Sequence, residues 1–179
     1  VTKTINSMIK SQLEESVEMY IPKYSFGFRK GFNTTHCLNS LVHQIVTNRE
    51  NKLNSVVIYL DISKAFNSVC HITLFNILKK FNIPNVIYQW LTLFLRSIVL
   101  KIDTKDGVVS KALETGLLQG STLSPLLFNI YTIGLHKIFE NNKEIEILQY
   151  ADDFAIIIQG DSFSKLEANS NLYLKLLNQ

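Results

Sequence analysis

The sequence predicts an α+β fold, with helices grouped around antiparallel hairpins. Several segments carry apolar residues at helical spacing, and two others contain hairpin signals. Strands and helices do not alternate strictly, as they would in a parallel α/β fold. With 179 residues, 46% hydrophobic and 18% charged, the chain has the composition of one compact globular domain.

The first two predicted elements are helices. In the first, the apolar residues recur at helical spacing and the helix should end near Met19, because Pro22 follows. Asn33 or Thr34 can cap the second helix, which should fade in the polar run 48–54. The apolar stripes are Ile5, Ile9, Leu13 and Val17 in the first helix and Leu38, Leu41, Val42 and Ile45 in the second.

Residues 56–60, VVIYL, form a β-branched and aromatic run that predicts a largely buried strand with Asp61 at its end. Two amphipathic helices should follow this strand, one before Pro84 and one after it. Their apolar faces consist of Leu74, Ile77, Leu78 and Phe81, and of Ile87, Trp90, Leu91 and Phe94.

The remaining chain predicts two hairpins and two helices. Asp106-Gly107 lies between two alternating segments, which is a good hairpin signal. Ser124-Pro125 should open a helix, since Ser is a favoured cap and Pro is tolerated in the first turn. A second hairpin, EIEILQY and FAIIIQ, flanks Ala151-Asp152, and residues 163–177 have the pattern of a last amphipathic helix.

Charge and cysteine content narrow the choice of partner and compartment. Eighteen basic against fifteen acidic residues, with a pI of about 8.8, permit a nucleic-acid partner without requiring one. Cys37 and Cys70 show no metal-binding or disulfide pattern, which indicates free thiols and an intracellular protein. The longest apolar run is interrupted by Arg96, so no membrane partner is expected. The four histidines, His36, His43, His71 and His136, lack the spacing of metal ligands, so we expect them to pack or to cap helices.

Three carboxylates are the candidates for chemistry. Asp61 and the Asp152-Asp153 pair adjoin apolar strands, where a carboxylate is costly without a partner. One explanation is a pair of Mg²⁺ ions, which can clamp the attacking and leaving oxygens of a phosphoryl transfer. Periodicity alone favours a simpler one, in which Asp61 is a cap and Asp152-Asp153 an ordinary turn. Ala-Asp, however, is a poor choice for a two-residue turn, and a turn built against local preference indicates function.

A second candidate site lies between Met19 and Arg49, a stretch without any acidic residue. Here Lys23, Arg29 and Lys30 alternate with aromatic side chains. Cations for phosphates and aromatic surface for bases suit a nucleic-acid template strand. The alternative is a solvated turn over a small aromatic cluster.

Four segments resemble one enzyme family, in its order and spacing. VVIYLDISKAFNSV, GLLQGSTLSPLLFNIY and QYADDFAI resemble the three catalytic motifs of reverse transcriptases from non-LTR retrotransposons, the LINE-like and jockey-like elements. FGFRKGFNTTH resembles the fingers segment before them. The resemblance covers residues 26–156, about three quarters of the chain.

The resemblance implies a right-hand polymerase palm with part of the fingers, and an antiparallel sheet covered by helices. Residues 1–50 would be partial fingers and 51–179 the palm, in a single reverse transcriptase domain truncated at both ends and without its thumb. The chain begins with Val, which suggests a piece of a longer reading frame. The implied location is the nucleus.

The resemblance also implies the metal and its ligands. Asp61 and Asp152 would bind two Mg²⁺ ions, or Mn²⁺, with Asp153 beside them and the Ile62 carbonyl completing a coordination sphere. The partners would be an RNA template, a DNA primer and deoxynucleoside triphosphates. Lys23, Arg29 and Lys30 would contact the template.

Four further residues would bind the incoming nucleotide. Phe66 resembles the steric gate that leaves no room for a 2′-hydroxyl, and the motif favours this role over the alternative of a plain core residue. Gln119 would hydrogen-bond near the nucleotide, or be a plain loop amide, and Gly120 would allow close backbone approach. Tyr150 precedes the catalytic turn and would line the same site.

Two departures from the family pattern keep alternatives open. Asn67 stands where the family usually has Asp, and Leu118 where it usually has Pro. Reduced activity, or a catalytically silent nucleic-acid-binding remnant, is therefore one alternative. Another is a group II intron-type or other reverse transcriptase. A viral RNA-dependent RNA polymerase is disfavoured by Phe66 and by Ala151, where such enzymes typically have Gly.

Overall fold

The structure, a computed structural model, describes residues 2–105, 107–140 and 142–177. Two short helices join the longer ones, a 3-10 turn at Glu18–Tyr20 and the four-residue α3. The α-helices are α1 (Thr2–Val17), α2 (Thr34–Glu50), α3 (Ala65–Ser68), α4 (His71–Leu78), α5 (Asn85–Arg96), α6 (Ser124–Lys137) and α7 (Phe163–Leu177).

The strands form two antiparallel sheets. One has three strands in the order β1-β5-β4, and the other is the two-stranded ribbon β2-β3. The strands are β1 (Asn54–Asp61), β2 (Val99–Thr104), β3 (Gly107–Ala112), β4 (Ile145–Tyr150) and β5 (Asp153–Gly160). The mixed helix and antiparallel sheet content confirms the predicted α+β class.

The chain divides into two compact units. The first unit comprises the chain up to Ile21 and Ser63–Ile133, and the second comprises Pro22–Ile62 and the chain from Gly134 onwards. The division into fingers at 1–50 and palm at 51–179 stays a prediction. No described helix is both long and apolar enough to cross a membrane.

The three-stranded sheet of the second unit is covered on both faces. On one face, Phe154, Ile156 and Ile158 pack with residues of α7, among them Leu166 and Tyr173. On the other face, Ile157 and Leu148 pack with Phe26 and with residues of α2. Strand alternation produces these two apolar faces, because successive side chains point to opposite sides.

Strand β1 is less buried than the sequence predicts. It lies at an edge of the sheet, and its burial ranges from half-buried residues to Tyr59, which is 71% exposed. Its apolar run had predicted a largely buried strand, and that prediction is wrong. An edge position explains the difference, since an edge strand has a neighbour on one side only.

Residues 24–26 lie along the other edge of the sheet. Phe26 N donates to Gln149 O at 2.8 Å, and Gln149 N donates to Tyr24 O at 2.9 Å. Ser25 and Gln149 thereby form a parallel bridge. The segment that resembles the family's fingers motif is thus hydrogen-bonded directly to β4.

Helix α2 begins with a capping box that agrees with the predicted cap. The Asn33 side chain accepts from His36 N at 3.1 Å, and Asn33 N donates to His36 Nδ1 at 3.2 Å. The helix continues through Asn48, which is 2% exposed and donates to Ser55 Oγ at 2.9 Å. The predicted ends of α1 and α7 and the start of α6 are likewise confirmed.

The first unit has a leucine-rich core and an exposed ribbon. Every described residue of β2 and β3 is exposed. Thr104 pairs with Gly107, which confirms the predicted hairpin, although Asp106 itself lies outside the described residues. The fully buried leucines of this core are Leu13, Leu74, Leu78, Leu91, Leu95, Leu123 and Leu127.

Candidate active site

The three candidate carboxylates lie at one end of the three-stranded sheet. Asp61, the last residue of β1, is the register partner of Asp153, the first residue of β5. Asp153 also pairs with Tyr150 at the end of β4, so Ala151-Asp152 forms a two-residue turn. Directly paired residues point to the same face of a sheet. The fold therefore brings Asp61 and Asp153 into one row, with Asp152 in the adjoining turn.

The turn that carries Asp152 has an unfavourable backbone conformation. Ala151 has a φ of 58°, in the left-handed region that costs an L-residue about 1–2 kcal/mol. Gly, Asn or Asp would adopt it more readily. The expectation that Ala-Asp is a poor choice for this turn is confirmed, and such strain is often found at functional sites.

The carboxylates are accessible to solvent. Asp61 and Asp153 are exposed and Asp152 is half-buried. Within the described part of the chain, none of the three makes a side-chain hydrogen bond or ion pair. The premise that burial makes them costly is therefore wrong for Asp61 and Asp153. Asp61 and Asp153 instead face each other as cross-strand partners, and two like charges in such a pair destabilise a sheet unless a cation lies between them.

The carboxylate oxygens are suitable ligands for magnesium, although they do not complete its coordination sphere. Among the described residues, no group of three or more His, Cys, Asp or Glu side chains is arranged to hold a metal ion. Mg²⁺ is usually bound by one or two carboxylates together with substrate phosphates and water. Asp61 and Asp152 could supply that part. Ile62 follows Asp61, and its side chain packs against the core beneath the sheet.

The buried side-chain amide of Gln149 is hydrogen-bonded to the strained turn. Gln149 is 1% exposed, and its Nε2 donates to the Ala151 carbonyl at 2.8 Å. Its Oε1 lies 3.0 Å from Nε2 of His136, in the last turn of α6. Burial lowers the pKa of His136, and the hydrogen bond to Gln149 opposes this shift in part. The imidazole is therefore neutral at physiological pH.

Gly27 lies directly against the backbone of the same turn. A Cβ at Gly27 would lie 2.0 Å from Ala151 N and 2.7 Å from Ala151 Cα. No side chain fits at that separation, so only glycine allows residues 24–27 to approach the turn this closely. Tyr150, on the same side of the sheet, packs against the cluster around Phe26.

The predicted nucleotide-binding residues Phe66, Gln119 and Gly120 belong to the first unit. Leu117 N donates to Phe66 O at 2.9 Å, which places the Phe66 segment beside the residues leading to Gln119. Phe66 is half-buried and its ring stacks on Phe128, with centroids 4.9 Å apart. One face of Phe66 is thus core, and its role as a steric gate stays a prediction.

Gln119 and Gly120 occupy the two central positions of a tight turn. Ser121 N donates to Leu118 O at 3.1 Å, and Gly120 has a φ of 83°. A positive φ at the third residue is typical of a type II turn, which explains the glycine. Gln119 is exposed at the tip, as expected of a side chain available to a ligand.

The two positions that depart from the family pattern share a cleft in the first unit. Asn67 and Leu118 both line this cleft, which has a volume of about 340 Å³. Leu118 also accepts, through its carbonyl, a hydrogen bond from Ser124 Oγ at 2.7 Å. The departures are therefore neighbours on one surface.

The predicted template-binding cations differ in their surroundings. Lys23 and Lys30 are exposed, whereas Arg29 is half-buried. Arg29 has its Nη1 donating to Ser25 O at 2.8 Å, and its guanidinium lies 4.6 Å from the Phe32 ring centroid. Arg29 thus stabilises its own loop. Contact of all three with a template stays a prediction.

Sequence reasoning missed Gly27, Gln149 and His136. A glutamine inside an otherwise apolar strand was a usable signal, because a buried amide needs partners. Gly27 gave no local signal, since its role depends on a turn far along the chain. His136 was expected to pack or cap, and its bond to Gln149 is more specific than that.

Comparison with known proteins identifies the family. The family model described as reverse transcriptase (RNA-dependent DNA polymerase) matches residues 1–178. Among curated relatives, the RNA-directed DNA polymerase from mobile element jockey of Drosophila melanogaster is 30% identical over 171 residues, which is 92% of this chain and 18% of that protein. The Drosophila funebris jockey polymerase is 32% identical over 80% of this chain and 16% of its own length.

Solved structures show the same fold. Telomerase from Candida albicans, in complex with a fragment of telomeric RNA, superposes with a TM-score of 0.65 at 13% identity, covering 96% of this chain and 32% of that one. Telomerase from Candida tropicalis gives 0.59 at 13% identity, covering 93% and 29%. The chain spans less than a fifth of the length of its jockey relatives. With a family model matching nearly its whole length and the aspartates at the sheet end where the motifs predict them, the chain belongs to the reverse transcriptase family.

Proposed function

We propose that this chain supplies the catalytic carboxylates of an RNA-directed DNA polymerase. The reaction is attack of a primer 3′-hydroxyl on the α-phosphate of a deoxynucleoside triphosphate, with release of pyrophosphate. The observation that carries the proposal is the pairing of Asp61 with Asp153, next to a strained turn that presents Asp152. Three negative charges at one sheet end suit divalent cations.

Asp61 and Asp152 are the proposed ligands of two Mg²⁺ ions, which when bound would neutralise phosphate charge and activate the attacking hydroxyl. Asp153 adds negative charge beside them and is the less direct participant. The chain's own contribution is to fix the carboxylates before substrate arrives. Preorganised positioning of this kind accounts for much of catalysis in phosphoryl transfer.

The substrates follow from the family and from the relatives' names. The jockey proteins are named RNA-directed DNA polymerases, which supports an RNA template and a DNA product. We assign template contact to Lys23, Arg29 and Lys30, and nucleotide contact to Phe66, Gln119, Gly120 and Tyr150. Cations beside aromatic rings suit a single strand.

Primer extension on an RNA template by the full-length protein tests the proposal. Asp61→Asn and Asp152→Asn should each lower the rate of extension by at least about 100-fold. Loss of a residue that only supports a metal ligand costs up to about 100-fold, and loss of the ligand itself should cost at least as much. Asp153→Asn should have a smaller effect. The matched control is Asp161→Asn, an exposed aspartate at the opposite end of β5.

Thermal unfolding without Mg²⁺ should show no loss of stability in any variant, because the three carboxylates make no side-chain hydrogen bond or ion pair among the described residues. Asp61→Asn and Asp153→Asn should, if anything, be slightly more stable, since each removes a like charge from a cross-strand pair. Wild-type extension by Asp152→Asn would remove the assignment. A wild-type protein that binds RNA yet never extends a primer would instead favour the silent remnant.

A further inference from the structure

The carboxylates act only if the turn that carries Asp152 keeps its shape. Ala151 holds a φ of 58°, which an alanine does not adopt without support from its surroundings. Relaxation of that residue would swing the following peptide and move the Asp152 side chain. Some contact must therefore stabilise the turn in this conformation.

The buried Gln149 amide provides that contact. Its Nε2 donates to the carbonyl of Ala151, two residues further along the chain, at 2.8 Å. The backbone of Gln149 is fixed in turn, because its N–H and carbonyl pair with Tyr24 and Phe26. The donor is thus attached to a rigid strand rather than to a loop.

His136 determines which way the amide faces. The Ala151 carbonyl can only accept, so Nε2 of Gln149 must face it and Oε1 must face His136. The imidazole must then donate from its own Nε2, 3.0 Å away. Without this donor, the amide could rotate and present an oxygen to the carbonyl, which would repel it.

We infer that Gln149 is a positioning residue of the polymerase site, and that His136 holds its amide in the orientation that locks the catalytic turn. This inference rests on the proposed function for its effect on catalysis. Its structural part, that the Gln149 amide restrains the turn, can be measured without activity. We assign neither side chain a contact with substrate.

The test compares variants of the full-length protein. Gln149→Met keeps the length and burial of the side chain but removes both hydrogen bonds. His136→Phe removes the orienting donor, whereas His136→Gln keeps a donor at a similar reach. Gln159→Met is the matched control, since Gln159 Nε2 donates to the Lys143 carbonyl at 2.7 Å at the far end of the same hairpin.

The first readout is amide hydrogen exchange of the peptide covering the turn. Exchange should be faster in Gln149→Met and His136→Phe, and unchanged in His136→Gln and Gln159→Met. The second readout is the Mg²⁺ concentration for half-maximal primer extension. It should rise about 10-fold or more in the first two variants, as expected when a supporting residue is removed.

Two outcomes would overturn the inference. One is wild-type exchange at the turn in Gln149→Met. The other is a His136→Gln variant as impaired as His136→Phe, which would show that bulk matters and the donor does not. If Asp152→Asn retains activity, the proposed function fails on its own, and the exchange data still decide whether Gln149 restrains the turn.

Discussion

Phe66 is packed against the core and is also partly exposed to solvent. Its ring stacks on Phe128, which is 1% exposed, yet Phe66 itself is only half-buried. Its carbonyl accepts from Leu117 N and so fixes the neighbouring loop. A partly exposed ring that is held by stacking can present a rigid surface to a ligand.

We expect Phe66→Val to raise ribonucleotide incorporation relative to deoxyribonucleotide, because removal of the ring opens space for a 2′-hydroxyl. Loss of the stacked ring should also lower stability by about 1–2 kcal/mol, less than for a fully buried phenylalanine. Single-nucleotide kinetics with both sugars measure the preference.

Phe75→Val is the control for that experiment, since Phe75 is buried in α4 and packs against Tyr88. It should lower stability without altering sugar preference. An unchanged preference in Phe66→Val would assign Phe66 to the core alone.

At the scale of elements, local patterns predicted most of the fold. Both hairpins, the cap of α2 and the bounds of α7 followed from turn chemistry and periodicity, which are properties of short segments. Helix α3 was missed, because four residues are too few to show a period. The bridge between Ser25 and Gln149 was missed because it joins distant segments.

In the candidate site, too, local patterns predicted some features, whereas others depend on contacts between distant segments. The three aspartates adjoin predicted strand ends, so their grouping followed from the second hairpin and from the resemblance to known motifs. The pairing of Asp61 with Asp153 required the register between β1 and β5, which no local pattern specifies. The support from Gln149 and Gly27 depends on side-chain and backbone contacts that appear only in the folded chain.

The loop between α1 and α2 gives a prediction that separates charge from structure. Lys30→Ala should weaken binding of single-stranded RNA and reduce the slope of log affinity against log salt by about 0.7 for each phosphate that Lys30 neutralises. Its thermal stability should not change, because Lys30 is exposed. Arg29→Ala should lower stability as well, since it removes the bond to Ser25.

Lys175→Ala, an equal change of charge at an exposed position of α7, is the control. It should leave the salt slope unchanged. If all three variants shift the slope equally, net charge and not this loop governs RNA binding.

At the scale of the whole molecule, the chain is short relative to its relatives. It spans less than a fifth of the length of the jockey polymerases. A template and primer need extended contact with cations and with a clamping surface, and positioning is worth several kcal/mol of the barrier.

We expect these 179 residues alone to bind single-stranded RNA weakly, with affinity that falls as salt rises, and to extend a primer barely or not at all. An extended protein with the native flanking sequence should be active. Primer extension at matched folded concentration compares the two.

Equal activity of both forms would contradict this account of positioning. If the extended protein is also inactive, Asn67→Asp and Leu118→Pro should be tested singly and together. Both residues line one cleft, so their effects on activity should not be additive.

The close approach of Gly27 to Ala151 has a consequence for how copies of such a gene lose function. Every change at the first or second base of a glycine codon introduces a side chain or a stop. A copy can therefore retain all three aspartates and still lose the turn that presents them, through one base far upstream. A substitution in the Gly27 codon would therefore mark a copy as inactive even where all three aspartate codons are intact.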